Sequence, residues 1–157
     1  MISLRNTMVG TLVAAMLALG PGSAGAFSSG QPQADSPLDT AAKAVDAGDF
    51  SGAIPILQAV VAKDPDSADA YNYLGYAHRK LGQVDEAKVY YLKALEIDPK
   101  HKGANEYLGE LYLELDDVAG AEARLEVLDD ACGLFGCEEF DELEEKIEAY
   151  KKGHQQS

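Results

Sequence analysis

Residues 68–99 read ADAYNYLGYAHRKLGQVDEAKVYYLKALEIDP, a stretch that predicts two short helices folded back on each other. In its first half, Tyr71, Leu74 and His78 recur at three- and four-residue steps, so they share one helical face. Gly82 then interrupts the pattern, because glycine is a poor helix residue and a common helix terminator. Pro99 stops the second helix, whose apolar face is formed by Ala87, Tyr91, Ala94 and Leu95.

The apolar pattern recurs with a period of 34 residues on both sides of this hairpin. One hairpin cannot bury its own apolar faces, so a repeated unit is expected to stack on its neighbours. Downstream, the equivalent positions are Leu108, Gly109, Tyr112, Ala121, Leu125 and Leu128. Upstream, they are Ala41, Ala53, Leu57 and Pro65. The outer copies depart from the pattern, since Pro37 and Asn105 stand where the central copy has Tyr71.

The central copy resembles the tetratricopeptide repeat (TPR). The residues that carry the resemblance are Tyr71, Leu74, Gly75, Ala87, Tyr91, Ala94 and Pro99. It implies an all-α fold, a right-handed α-α solenoid of three helix hairpins plus a C-terminal capping helix. The predicted repeats span about 35–67, 68–101 and 102–133.

The N-terminal residues have the pattern of an export signal. Arg5 precedes an apolar run from Met8 to Leu19, and the small residues of 24–26 suit a signal peptidase. We therefore predict a signal peptide over 1–26, a disordered linker over 27–34, and a small bacterial protein that is periplasmic or secreted. The run is too short to span a bilayer comfortably, so no membrane insertion is expected after cleavage.

The charge is strongly acidic, with 13 Lys and Arg against 27 Asp and Glu and a net charge of -14. Such a surface repels nucleic acid and anionic lipid, which makes both poor candidate partners. It attracts cationic segments, although the same charge also serves ordinary solubility.

Two cysteines, Cys132 and Cys137, follow the third repeat with four residues between them. In an exported protein this spacing favours a structural disulfide. A redox-active pair acting in thiol-disulfide chemistry or redox assembly is the alternative, and a metal site lacks two further ligands. The predicted disulfide loop and capping helix span 134–157 with a frayed tail. The helix has an apolar stripe of Phe140, Leu143, Ile147 and Tyr150.

Pro55 falls inside the second helix of the first hairpin. If Ser51 caps that helix, Pro55 lies in the first turn, where its missing N–H had no intrahelical partner. Ser51 is therefore the expected cap.

The sequence contains no phosphate-binding loop, nucleophile elbow or complete EF-hand loop. No catalytic residue, cofactor or metal is predicted. The TPR resemblance implies instead a concave groove, lined by the first helix of each pair, that holds a peptide. The predicted partner-binding residues are Asn72, Tyr73, Tyr76, Arg79, Tyr107 and Glu110. We expect a protein scaffold or assembly factor that takes a basic and apolar segment, with self-association and simple packing of these rings as alternatives.

Overall fold

The computed structural model describes residues 35–155, so the predicted signal peptide and linker lie outside the described residues. Within that range the chain forms seven α-helices and no strand. In chain order, α1 to α7 are Pro37–Asp46, Phe50–Lys63, Ala68–Lys80, Val84–Ile97, Lys102–Glu114, Val118–Cys132 and Glu138–Gln155. A short 3-10 helix, Gly133–Phe135, connects α6 to α7.

The first six helices form three hairpins that stack in sequence order. Helix α1 packs on α2, α3 on α4 and α5 on α6, and each hairpin packs on the next through α2 with α3 and α4 with α5. Helix α7 packs on both α5 and α6. The prediction of an all-α solenoid of three hairpins with a capping helix is confirmed. No helix among residues 35–155 is long and apolar enough to cross a bilayer.

The interior is continuous because the same aromatic side chains contact neighbouring apolar clusters. Tyr71 and Tyr76 pack against both the cluster of the first hairpin and that of the second. Tyr112 joins the second cluster to the third, which contains Leu143 and Ile147 of α7. Each repeat thus depends on its neighbours for burial, as expected of a solenoid.

The turns inside the hairpins share one backbone conformation. Gly48 and Gly82 have φ values of 78° and 74°, and Asp116 takes the same place in the third hairpin with φ 60°. This left-handed region is costly for residues with a Cβ, although aspartate tolerates it better than most. The Tyr150 hydroxyl of α7 donates a hydrogen bond to Asp116 Oδ1 at 2.6 Å. The capping helix therefore supports the one hairpin turn that has no glycine.

The expectation that Ser51 caps α2 is wrong. The cap is Asp49, whose Oδ1 accepts a hydrogen bond from the Gly52 backbone N–H at 2.9 Å. The helix consequently begins earlier than expected, and Pro55 lies in its second turn. Asp117 caps α6 in the same way through Gly120. The cap directly follows the left-handed turn in each case.

Asn105 replaces the repeat's opening aromatic residue without leaving a polar group unpaired. Its side chain is fully buried. Its Nδ2 donates to the carbonyls of Pro99 at 3.1 Å and His101 at 3.0 Å, and its Oδ1 accepts from Arg124 at 3.2 Å. The third repeat therefore begins on a hydrogen-bond network where the second begins on an aromatic ring.

Candidate partner-binding hollow

Four helices surround a hollow of about 440 Å³ that we call the aromatic hollow. Its lining comes from the end of α1, the start of α2 and the middle of α3 and α5. The lining residues are Val45, Asp46, Gly48, Phe50, Tyr73, Tyr76 and Tyr107. The hollow thus draws on all three repeats.

Helical spacing explains why the three tyrosines meet. Tyr73 and Tyr76 are three residues apart on α3, so they project from one side of the helix. Tyr107 is one repeat period after Tyr73, on α5. The ring centroids of Tyr76 and Tyr107 lie 4.9 Å apart, and Phe50 approaches Tyr76 edge-on at 6.0 Å. The rings of Phe50, Tyr76 and Tyr107 therefore pack on one another, and together with Tyr73, which lines the same hollow, they form the aromatic wall.

Acidic side chains surround this wall on the side of α1. Asp46 is exposed and lines the hollow. Burial, together with the negative charges of Asp46, Asp69 and Asp39, raises the pKa of Tyr73. Near Tyr73 the hollow therefore combines an aromatic side chain with negative charges, an arrangement that favours cations.

One lysine of the chain already contacts an aromatic ring of this wall. Lys80 places its Nζ over the Tyr76 ring, 5.0 Å from the centroid. An aromatic face in contact with an ammonium group shows the geometry of a cation–π contact. The rings of Tyr73 and Tyr107 make no cation–π contact among the described residues.

Three of the predicted partner-binding residues do not line the aromatic hollow. Asn72 is 7% exposed and faces α5, where a Cβ added at Gly103 would lie 3.1 Å from its Nδ2. Arg79 and Glu110 bind each other across the α3–α5 junction. Whether these three residues also contact a partner stays a prediction.

Arg79 is held by two carboxylates of α5. Its Nε and Nη2 donate to Glu114 at 2.9 and 2.6 Å, and its Nη1 donates to Glu110. Burial opposes the charged form, but the hydrogen bonds and charges of Glu114 and Glu110 raise the pKa of Arg79 above its ordinary value. This buried ion pair fixes the second repeat to the third.

A charged cluster missed by the sequence analysis lies between α5 and α7. Lys146 of α7 contacts Glu110, approaches Glu106 at 3.9 Å and reaches Glu142 at 3.4 Å. The three carboxylates lie within 4.8 Å of one another. The ammonium group of Lys146 lies among them and supplies the countercharge, so we assign the cluster a structural role and no metal.

The pKa values of the two α5 carboxyls in this cluster, Glu106 and Glu110, shift in opposite directions. Burial, helped by the hydrogen bond and charge of Glu142 and the charge of Glu110, raises the pKa of Glu106 to about 8. For Glu110, burial acts in the same sense, but Lys146 and Arg79 outweigh it and lower the pKa. Helix α7 leaves Glu106 only 4% exposed. Helix α7 therefore covers α5 at Glu106, whereas the adjacent Tyr107 lines the aromatic hollow.

Phe50 and Gly48 were not among the predicted site residues, although the repeat offered a signal. The first residue of the second helix in each hairpin is apolar: Phe50, Val84 and Val118. In the first hairpin this residue is aromatic and joins the wall of the hollow. Its position directly after the turn could have identified it.

The two cysteines meet at the junction of α6 and α7. The Cα atoms of Cys132 and Cys137 are 5.4 Å apart, a separation that a disulfide spans. The intervening segment is the Gly133–Phe135 3-10 helix.

Two family models match the chain, over residues 38–102 and 82–131, and both describe the tetratricopeptide repeat. The chain belongs to the tetratricopeptide repeat family. The matched residues extend from α1 to α6 and include every lining residue of the aromatic hollow. The resemblance inferred from the central repeat is confirmed at the level of the family.

Part of the chain is also similar in sequence to curated proteins. The chain is 41% identical over 63 residues to heat shock protein STI1 of Saccharomyces cerevisiae, covering 40% of this chain. It spans about a tenth of the length of the first curated relatives that it matches, STI1 among them.

Two of the solved structures with a similar fold are complexes with peptides. The Yersinia enterocolitica type III secretion chaperone SycD, in complex with a peptide of the translocator YopD, superimposes with a TM-score of 0.62 at 21% identity. That match covers 74% of this chain and 88% of SycD. The second TPR domain of human RPAP3, in complex with an HSP70 peptide, gives 0.62 at 19% identity, with 72% and 92% coverage.

Proposed function

We propose that this TPR protein is a non-catalytic scaffold or assembly factor that holds a segment of another protein in the aromatic hollow. The observation that carries the proposal is the wall formed by Tyr73, Tyr76 and Tyr107, open beside an acidic rim. Tyrosine offers a large contact area at small entropic cost and is enriched at binding hot spots. SycD and RPAP3, which share the fold, are peptide-bound in their solved structures.

The chemistry of the hollow selects a segment with both apolar and basic side chains. Apolar groups would pack on the tyrosine rings, and a Lys or Arg would lie between a ring face and Asp46. An acidic peptide would meet Asp46, Asp39 and Asp69, so peptides ending in carboxylate clusters are disfavoured. Electrostatic attraction of this kind weakens with salt.

Replacing Tyr73 and Tyr76 together with alanine is expected to lower partner affinity at least tenfold, because a fully packed aromatic anchor contributes about 2 kcal/mol or more. The measurement is binding to arrays of extended peptides, with affinities of the strongest binders measured in solution. Asp46→Asn should weaken binding only to the basic peptides.

The matched control is Tyr150→Ala, which removes a half-buried tyrosine from α7, away from the hollow. Circular dichroism at 222 nm establishes that each variant is folded. A double variant that is folded and binds the same peptides as strongly as the parent would remove the hollow from the proposal.

We also place the protein outside the cytoplasm, with a structural disulfide between Cys132 and Cys137. The export pattern of residues 1–26 and the 5.4 Å separation of the two Cα atoms support this placement. Protein recovered from the periplasm is expected to begin at Phe27 and to resist alkylation unless it is first reduced. An uncleaved N-terminus or two alkylated cysteines in the unreduced protein would contradict it.

A further inference from the structure

The segment between the two cysteines displays two large apolar side chains to solvent. Leu134 and Phe135 are both 101% exposed. The other large apolar residues that are exposed among residues 35–155 reach 64% at most, at Val89. Burying these two adjacent side chains would be favourable, and because they are not buried within the protein, a second molecule would have to cover them.

The backbone holds these side chains outward. Leu134 and Phe135 belong to a 3-10 turn flanked by Gly133 and Gly136, whose φ values are 64° and 68°. The Gly136 N–H donates to the Gly133 carbonyl at 3.3 Å, and the cysteines bring the two ends together. A turn closed at its base has little freedom to fold its side chains back onto the protein. It presents them at reduced entropic cost to a partner.

The charges around this turn indicate which kind of partner surface could bind there. Its neighbours along the chain are acidic, and they are Asp129, Asp130, Glu138, Glu139 and Asp141. Lys100 pairs with Asp130 at 2.6 Å, and the other four have no ion pair with a cation among residues 35–155. An anionic membrane surface and a second copy of this acidic chain are both repelled by such a rim. A surface with basic residues is attracted.

We infer that Leu134 and Phe135 form a second docking site, separate from the aromatic hollow, for a protein whose apolar cleft is bordered by Lys and Arg. The two side chains enter the cleft, and the acidic residues of α6 and α7 pair with its basic border. The site shares no residue with the hollow. The protein therefore contacts one partner through its repeats and another through the turn that follows them.

The test uses the absence of tryptophan from the chain. In the full mature protein, Phe135→Trp introduces a single fluorophore at the tip of the turn. The probes are a helical peptide of leucine and lysine, its counterpart with every lysine replaced by glutamate, and vesicles of phosphatidylcholine with or without phosphatidylglycerol. We expect a blue shift of the emission with the lysine peptide only, and a loss of at least tenfold in its affinity when Leu134→Ser is added.

The matched control is Leu115→Trp. Leu115 is also exposed, at 46%, and also lies between acidic residues, Glu114 and Asp116, but it is outside the turn. If the lysine peptide caused an equal blue shift at position 115 with the same affinity, the effect would be a general electrostatic attraction to the acidic surface, and the inference would be overturned. A shift with vesicles alone, a concentration-dependent shift without any probe, or no shift with the lysine peptide would also overturn it.

Discussion

Replacing Glu106 with glutamine is expected to stabilise the protein by about 3–5 kcal/mol at pH 9, since each pKa unit of difference between folded and unfolded states corresponds to about 1.4 kcal/mol. The pKa of the Glu106 carboxyl rises from 4.5 to about 8 on folding. The stability that the protonated Glu106 carboxyl contributes to the folded state is therefore fully present below about pH 4.5, and it is lost as the pH rises through about 8. Glutamine is neutral at every pH, and its amide can replace the protonated carboxyl as donor toward Glu142.

Urea unfolding at intervals from pH 4.5 to pH 9 measures this prediction. The difference between the variant and the parent should grow across that range. Glu110→Gln is the matched control, because Glu110 lies one turn further on α5 and its pKa is lowered by Lys146 and Arg79. Removing that charge should destabilise the protein at neutral pH, since the largely buried Arg79 and the partly exposed Lys146 each lose one of their carboxylate partners. Parallel pH profiles for Glu106→Gln and the parent would contradict the assignment.

Replacing Gly75 with alanine is expected to lower the free energy of unfolding by about 1–3 kcal/mol, the usual range for overpacking a core. A Cβ at this position would lie 2.6 Å from both Cδ1 and Cε1 of Tyr91. The Tyr91 ring is fully buried and rigid, so it has no space into which to move. The higher helix propensity of alanine offsets only about 1 kcal/mol of this cost.

Two other glycines provide the controls for thermal or urea unfolding. Gly109 holds the same repeat position one period later, but its Cβ would meet the methyl ends of Leu143 at 2.5 and 2.8 Å. Because those methyls are flexible, Gly109→Ala should cost less. Gly153 lies in α7, where a Cβ would meet nothing within 4 Å, so Gly153→Ala should be neutral or stabilising. Equal stabilities for the variants at 75 and 153 would contradict the close-packing argument.

Local sequence pattern was sufficient to predict the repeat, its hairpins and the tyrosines of the hollow. The apolar positions of residues 68–99 obey the helical period, and the 34-residue period carries them into the neighbouring hairpins. Tyr73, Tyr76 and Tyr107 follow from the same two periods, since each lies beside the core face of the first helix in its pair. Periodicity determines on which side of a helix a residue lies, and this was enough to predict that the three tyrosines line the same surface.

The ion pairs could not be predicted because they depend on how one helix lies against another. Glu110 meets Arg79 through the packing of α5 on α3, and it meets Lys146 through the packing of α7 on α5. Neither register is encoded in the spacing along one helix. Glu142 lies outside the apolar stripe of α7 in a helical projection, yet its carboxylate joins the cluster around Lys146. Long side chains reach across an interface from positions that a helical projection places outside it.

The error at Ser51 has a different origin. The prediction placed the start of the helix at Ser51 so that Pro55 would lie in the first turn, where a missing N–H breaks no hydrogen bond. The structure begins the helix at Phe50 because the left-handed turn at Gly48 is followed at once by Asp49, a good capping residue. The chain accepts a proline in the second turn, with one backbone hydrogen bond fewer. Turn geometry outweighs a single unfavourable helix position.

The capping helix also limits how copies of the protein could assemble. End-to-end growth of a repeat array requires two different terminal faces that fit each other, and it continues without limit. Here α7 covers the C-terminal face of the third hairpin with a helix whose outer residues include Glu144, Glu145 and Glu148. Among residues 35–155, the N-terminal face at α1 is the end of the repeat array that no further helix covers. End-to-end pairing through this face is therefore symmetric about a twofold axis, and it stops at a dimer instead of extending into a filament.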